Sequence, residues 1–504
     1  MRSDEGIVMA NRPQTSNRGE KTELSRWPHK IGILNDYVRI PYANGSSFAS
    51  QFLYREFRAR GHRVTVVGPE DRNAKPEELP QRSVSLRSVP LRNHPGVQLA
   101  LPSRSRLKQL CDERLDILLG QSGSAMMEAG VWLRATQRVP FLSVNTIHLP
   151  SVYNVILPES LYRTPVNEFF RDRVVPWIEQ QSVDAYNQGD GLVVLSEGLK
   201  HYWRERGVTV PIWTVPRAVD PAVFDAPSPD DPFPTAAKRG ARLLVVCRLT
   251  REKGVAGLIE IFARRVAPVA PDARLTLVGD GPDRETYRAQ AERCGIGGRV
   301  HFVGERPLGE IPGFLRNADL FVYASLSETY GQVVSEAQWC GLPVVALSDR
   351  MGVSEQIEHR RTGILVDPQR DPEEVEREFA QGVLELLRDP AARAALSTRA
   401  AEAVRLRARP ERCIARYYEA FAEAREHCLR SVPSPGSLPA KQALSLARWT
   451  GLHLTLAGAG LLRPPVQVQR HDCQQPVWDK PESPAQSARR VSTLALELEQ
   501  AIGG

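Results

Sequence analysis

Short runs of β-branched and aliphatic residues, each followed by a longer amphipathic stretch, recur through most of this chain, and that alternation admits few folds. A strand, a crossover helix and a further strand build parallel sheets covered by helices. Residues 30–34 read as the first strand. The small-residue loop Asn44-Gly45-Ser46-Ser47 follows, then a helix to about Arg60, then a second strand at 63–67. Residues 116–119, 141–144 and 191–195 continue the series, and Ser196 is placed to cap the helix behind the last of them.

The alternation breaks once. Residues 226–240 hold four prolines among Asp, Ser and Ala with no periodicity, which marks a linker. Strands then resume at 242–246, 274–278, 300–303, 320–323 and 344–346, with one more short strand at 363–366. The expected fold class is therefore α/β: two Rossmann-like, doubly wound domains facing across a cleft, each binding ligands beyond the carboxyl ends of its strands. The expected boundaries are a disordered N-terminus at 1–28, a first domain at 29–225, the linker at 226–240 and a second domain at 241–405. A helix at 406–430 follows, and 431–504 form a tail of unassigned role.

Composition narrows the class. The 504 residues exceed what one core organises, and the seven cysteines are odd in number and scattered, so reduced thiols in a cytoplasmic protein are expected. No C-x-x-C or H-E-x-x-H spacing occurs, so no metal is expected. A formal net charge of +7 suits an anionic partner such as nucleotide phosphates or an anionic membrane surface; with no nucleic-acid-binding module present, nucleic acid is not expected. The most apolar stretch, 449–462 between Arg448 and Arg463, is too short to span a bilayer and either packs on the protein or lies on a membrane.

The chemistry concentrates in Ser327-Glu328-Thr329-Tyr330-Gly331-Gln332-Val333-Val334-Ser335-Glu336-Ala337. Glu328 follows a strand, Gly331 opens a helix whose free N–H groups favour an anion, and Glu336 falls one to two turns further on. Two carboxylates at different depths beside a helix N-terminus suit a polyhydroxylated ligand that carries phosphates. Arg248 and Lys253, in C-R-L-T-R-E-K-G after the strand at 242–246, are placed to clamp a diphosphate. Gly279 and Gly281, in the turn V-G-D-G-P, follow the next strand.

With these residues the chain resembles the family 4 retaining glycosyltransferases of the GT-B fold, over roughly residues 30–424. Glu328 and Glu336 match the family's E-x7-E motif, Arg248 and Lys253 its basic pair, and Gly279 and Gly281 its G-x-G-P turn. The resemblance implies a donor that is a UDP-, GDP- or ADP-sugar, used without metal or other cofactor. It implies that Glu336 holds the ribose, that Glu328 contacts the transferred sugar, and that the backbone at Tyr330 and Gly331 lies near sugar and phosphates. Gly45 and Ser46 would approach the phosphates from the first domain, and His148 would contact the donor sugar. Ser46 and Cys247 depart from the family's usual residues at their positions.

Three segments resemble those of family members that act on membrane lipids: 40–45, 94–102 with Arg104, Arg106 and Lys108 nearby, and 148–153. The acceptor is thus expected to be a lipid or a carbohydrate, with the protein at the cytoplasmic face of a membrane in the first case. A soluble sugar or polysaccharide acceptor and a catalytically silent nucleotide-sugar-binding protein remain alternatives. A nicotinamide-dependent oxidoreductase is disfavoured, because no G-x-G-x-x-G follows the first strand.

Overall fold

A computed structural model describes residues 27–36, 45–70, 79–90, 98–121, 125–146, 164–227, 230–326, 328–431, 438–461 and Trp478. Its first sheet has the order β4-β3-β2-β1-β5-β6-β7-β8. The strands are β1 Lys30–Leu34, β2 Arg63–Pro69, β3 Ser83–Pro90, β4 Gln98–Leu101, β5 Ile117–Gly120, β6 Phe141–Val144, β7 Gly191–Val194 and β8 Ile212–Thr214. All pairs are parallel except β3 with β4. Helices α1 Gly45–Ala59, α2 Arg104–Asp112, α3 Ala125–Gln137, α4 Pro165–Phe169, α5 Val175–Asn187, α6 Glu197–Glu205 and α7 Pro221–Phe224 accompany it.

The second sheet has the order β11-β10-β9-β12-β13-β14, all parallel. Its strands are β9 Arg242–Val246, β10 Arg274–Val278, β11 Val300–Gly304, β12 Leu320–Tyr323, β13 Val344–Leu347 and β14 Ile364–Val366. Helices α8 Val255–Ile261, α9 Arg284–Arg293, α10 Ile311–Asn317, α11 Gln332–Trp339, α12 Pro372–Arg388 and α13 Pro390–Arg407 follow. The chain winds outward from β9 through β10 to β11, then returns to β12 on the other side of β9. That reversal leaves a crevice beyond the carboxyl ends of β9 and β12. Ser196 caps α6 as the sequence indicates, its hydroxyl accepting from the Leu199 N–H at 3.2 Å.

Three strands escape the sequence reading. In β3 the burial alternates, Val84 and Leu86 inward against exposed Ser83, Ser85 and Arg87, so its signal is the period-2 pattern of an outer strand. β4 and β8 are only 4 and 3 residues long, too short to stand out.

The stretch 226–240 is more than a tether. Phe233 and Ala237 are buried in the second domain's core, with the Phe233 ring 5.3 Å from that of Phe314. Among residues expected in the disordered N-terminus, Trp27 and Pro28 are placed against the first domain, with Arg425 4.8 Å from the Trp27 ring centre. Residues 1–26 lie outside the described residues.

After α13 the chain returns to the first domain as α14, Pro410–Arg430. Cys413, Ile414, Tyr417, Ala420, Phe421 and Ala424 form its buried face, at helical spacing. Phe57 of α1 meets this face, its ring 5.6 Å from Phe421 and 6.2 Å from Tyr417. Alongside, the Val219 N–H donates to the Ala408 carbonyl at 3.0 Å, tying the outgoing crossing to the returning one.

A helix α15, Leu438–Leu461, then lies along α3 and β3. Trp449 is buried with its ring 6.2 Å from Trp177, and Ser445 donates to Glu128 at 2.5 Å. No helix among the described residues is long and apolar enough to cross a membrane.

The end of α14 is held by a buried charge cluster. Asp190 is fully buried and accepts two hydrogen bonds from Arg134 at 2.7 Å and one from the Phe141 N–H at 3.0 Å. His427 lies 3.0 Å from it, and Arg134 also donates to Ser431 at 2.6 Å. Removing one partner of such a pair strands a buried charge. Arg134→Met is expected to cost about 3–5 kcal/mol in urea unfolding; a loss below about 1 kcal/mol would show that Asp190 finds other compensation.

Candidate active site

The crevice at β9 and β12 is built by two adjacent strands. Leu320 and Phe321 of β12 pair with Leu243 and Leu244 of β9, so the loops leaving their carboxyl ends emerge side by side. From the β9 loop, a short 3-10 turn, Arg251–Lys253, points Lys253 across to Glu328 on the β12 loop, with Nζ 2.5 Å from Oε1. Tyr323 and Ser325 each donate to the same Oε1 at 2.7 Å. Three donors converge on one carboxylate oxygen, so the carboxyl group is fixed and Oε2 is left to accept from a ligand.

Burial alone would raise the Glu328 carboxyl, but Lys253, Tyr323 and Ser325 overcome it and hold the group down at about 2. Glu328 is therefore a permanent carboxylate with one oriented acceptor oxygen. It is suited to a sugar hydroxyl and unsuited to donating a proton. Arg248, on the same β9 loop, is half-exposed and reaches Glu252 only loosely, at 3.5 Å, which leaves its guanidinium able to turn to an anion.

Gly331 is the residue before α11, with φ +76°, a conformation that favours glycine. Tyr330 buries its side chain, so only its backbone is available to a ligand. The Gln356 side chain donates to the Tyr330 carbonyl, fixing the loop from behind, and to the Gly352 carbonyl at 3.1 Å.

On α11, Glu336 lies one turn beyond Gln332, which bonds it. Burial pushes its carboxyl up to about 7, against the lowering effects of Gln332 and Arg217. Glu336 therefore ionises less readily than an ordinary carboxyl. A pair of ribose hydroxyls donating to it would favour the ionised form.

The other predicted residues divide. Gly279 and Gly281 are closely packed: a Cβ on Gly279 would overlap the Cys247 carbonyl oxygen, and one on Gly281 that of Leu249. Their turn presses on the β9 loop, where Leu249 N–H donates to Asp280 at 2.9 Å, and so sets where Arg248 begins. The Cys247 thiol is pushed up to about 12 by burial and stays protonated. Gly45 and Ser46 open α1. His148 lies outside the described residues, as do 40–44, 94–97 and 148–153.

The first domain nevertheless reaches the site. Thr329 donates to the Thr146 carbonyl at the end of β6 at 3.1 Å, and Glu355 accepts from the Glu197 and Gly198 N–H groups of α6 at 2.8 and 2.6 Å. The carboxyl ends of the two sheets therefore face each other. Sequence reasoning missed Ser325, Gln356, Glu355 and Arg217. Ser325 falls just before the E-x7-E string, whereas nothing local marks Gln356 or Glu355.

Family models agree with this geometry. Residues 229–403 match the model described as glycosyl transferases group 1, and residues 44–223 that of glycosyltransferase family 4. The chain belongs to these glycosyltransferases. Alpha-monoglucosyldiacylglycerol synthase of Streptococcus pneumoniae is 23% identical over 67% of this chain and 78% of its own length. N-acetyl-alpha-D-glucosaminyl L-malate synthase of Bacillus anthracis is 31% identical over 35% of this chain and 43% of its own. D-inositol 3-phosphate glycosyltransferase of Thermobispora bispora is 39% identical over 31% of this chain and 35% of its own. The chain thus spans less than half the length of the last two. Among solved structures, HepE of Anabaena in complex with UDP superposes with a TM-score of 0.59 and 19% identity, covering 78% of this chain and 99% of HepE. Sucrose-phosphate synthase of Thermosynechococcus elongatus gives 0.60 and 20%, covering 78% and 98%. These likenesses establish the GT-B fold of this glycosyltransferase.

The raised Glu336 carboxyl destabilises the empty protein. A carboxyl raised in the folded state contributes stability that is complete below its ordinary value, near 4.5, and lost as pH rises through about 7. Glu336→Gln is expected to remove that slope and to stabilise the ligand-free protein at pH 8 by about 2 kcal/mol, allowing for partial exposure. Urea unfolding at pH 5 and pH 8 measures it; a variant that keeps the wild-type slope would show that the slope arises elsewhere.

Proposed function

We propose that this glycosyltransferase moves a hexosyl group from a nucleoside-diphosphate sugar to a hydroxyl of a membrane lipid or glycolipid, with retention of anomeric configuration and without a metal ion. In this reaction the bond between the anomeric carbon and the β-phosphate oxygen breaks. A bond from the acceptor oxygen to that carbon forms on the same face, and the acceptor proton passes to the departing phosphate. The observation that carries the reading is the Lys253–Glu328 contact, with Glu336 on the following helix. It supplies a sugar-hydroxyl acceptor, a ribose acceptor and, between them, cations and a helix N-terminus for the diphosphate.

Arg248 and Lys253 supply positive charge where the leaving group gains negative charge, the service a divalent cation gives in other transferases. Glu328 is so occupied at Oε1 that it serves the sugar as an oriented acceptor. The acceptor half of the reading draws support from the streptococcal relative, whose name states a diacylglycerol product. It draws more from α15, which carries no acidic residue and exposes Leu444, Leu454 and Arg448. An apolar and basic helix of that kind suits the headgroup region of an anionic leaflet.

A thermal-shift screen of UDP-, GDP- and ADP-hexoses in EDTA is expected to find one donor that raises the midpoint, with the shift lost in Glu336→Ala. The product's anomeric coupling in proton NMR is expected to match the donor's. An inverted product, or activity that EDTA removes, would overturn the corresponding part of the proposal. In flotation at low salt, the protein is expected to rise with anionic vesicles and to remain behind with neutral ones; equal recovery with both would remove the membrane reading.

A further inference from the structure

A third cation stands in this site, and it comes from neither loop of the second sheet. Arg217 lies three residues beyond β8, where the chain leaves the first domain. Its placement is fixed on both sides. The Val215 N–H donates to the Val194 carbonyl at 2.9 Å, continuing the first sheet, and the Val219 N–H donates to Ala408 at 3.0 Å. The neighbouring Ala218 carbonyl accepts from the Gln332 side chain at 3.1 Å. Gln332 opens α11 and precedes Glu336 by four residues, so the crossing is held against the face that carries Glu336. Within electrostatic reach of the Arg217 guanidinium are Tyr417 of α14, Glu328, Tyr330 and Glu336. Burial works against its charge and these groups support it.

On the reading above, Glu328 takes the sugar and Glu336 the ribose, and the diphosphate is what joins them. A guanidinium within electrostatic reach of both carboxylates, on a crossing bonded to the first residue of α11, is therefore placed to meet the diphosphate. The charges of the cluster point the same way. Glu252, Glu328 and Glu336 stand against Lys253, Arg248 and Arg217. Without Arg217 the cluster would carry excess negative charge, and an incoming diphosphate would be repelled from a partly dehydrated crevice.

We propose that Arg217 is a diphosphate-binding residue of the donor site, supplied by the crossing between the domains and acting together with Arg248 and Lys253. Its planar fork suits phosphate oxygens, and its charge is available as the β-phosphate gains charge on departure. This inference rests on the donor assignment made above and adds a residue to it. Because Arg217 stands on the crossing, the cation is in place when the two domains are disposed as in this structure, with Thr329 on Thr146 and Glu355 on α6.

The test is nucleotide binding by calorimetry, with the full chain and whichever of UDP, GDP and ADP binds the wild type, alongside the matching nucleoside monophosphate. Arg217→Gln is expected to weaken the diphosphate about tenfold or more while changing the monophosphate only slightly. Arg217→Lys is expected to recover part of the loss. Its thermal midpoint without ligand serves as the check on folding. Equal weakening of both nucleotides, or unchanged diphosphate binding in a folded Arg217→Gln, would overturn the proposal while leaving the transferase reading intact. A wild type that binds none of the three diphosphates would instead sink the donor assignment, and this inference with it.

Discussion

One ion pair organises the site: Lys253 of the β9 loop on Glu328 of the β12 loop. Both strands end at the point where the second sheet reverses its winding, so their loops are neighbours in space although 75 residues apart in sequence. The pair is mostly buried, and burying two charges is unfavourable unless hydrogen bonds satisfy them. Tyr323 and Ser325 complete that requirement on one oxygen. The same arrangement that makes the buried pair tolerable keeps the carboxyl group ionised. Glu336 shows the opposite outcome, a carboxyl whose burial outweighs the support of Gln332 and Arg217. Two glutamates eight positions apart are thereby given different protonation behaviour by their surroundings.

Much of this architecture was legible in the sequence because parallel sheets buried on both faces write themselves as apolar runs. β1, β9, β10 and β12 stand in it with their bounds nearly unaltered, and the E-x7-E string announces a loop and helix joined by a glycine. What stayed hidden depends on contacts distant along the chain. Gln356 is an unremarked polar residue until its amide is seen against the Tyr330 carbonyl. Arg217 lies in a short crossing with no periodicity of its own, and its relevance comes from α11, α14 and the β12 loop closing around it. Gly279 and Gly281 were legible as a motif, yet the reason for them, backbone pressed on backbone at Cys247 and Leu249, belongs to the fold. The 226–240 stretch misleads because its prolines outweigh Phe233 and Ala237, which anchor it.

The two domains meet through few but well-placed polar contacts. Thr329 and Glu355 both belong to loops that line the crevice beyond β9 and β12, and both bond to backbone groups of the first domain. Crevice geometry and domain disposition are therefore parts of one arrangement: shifting α6 away from Glu355 disturbs the loop that Gln356 and Gly352 hold against Tyr330. An acceptor bound on the first domain would find the donor loop already in contact with its own walls.

The bond from Val219 to Ala408 lays the outgoing and returning strands of chain against each other. That bond fixes where the two crossings lie relative to each other as the chain passes between the domains. Arg217, two residues before that bond, is thereby held at the seam between the domains.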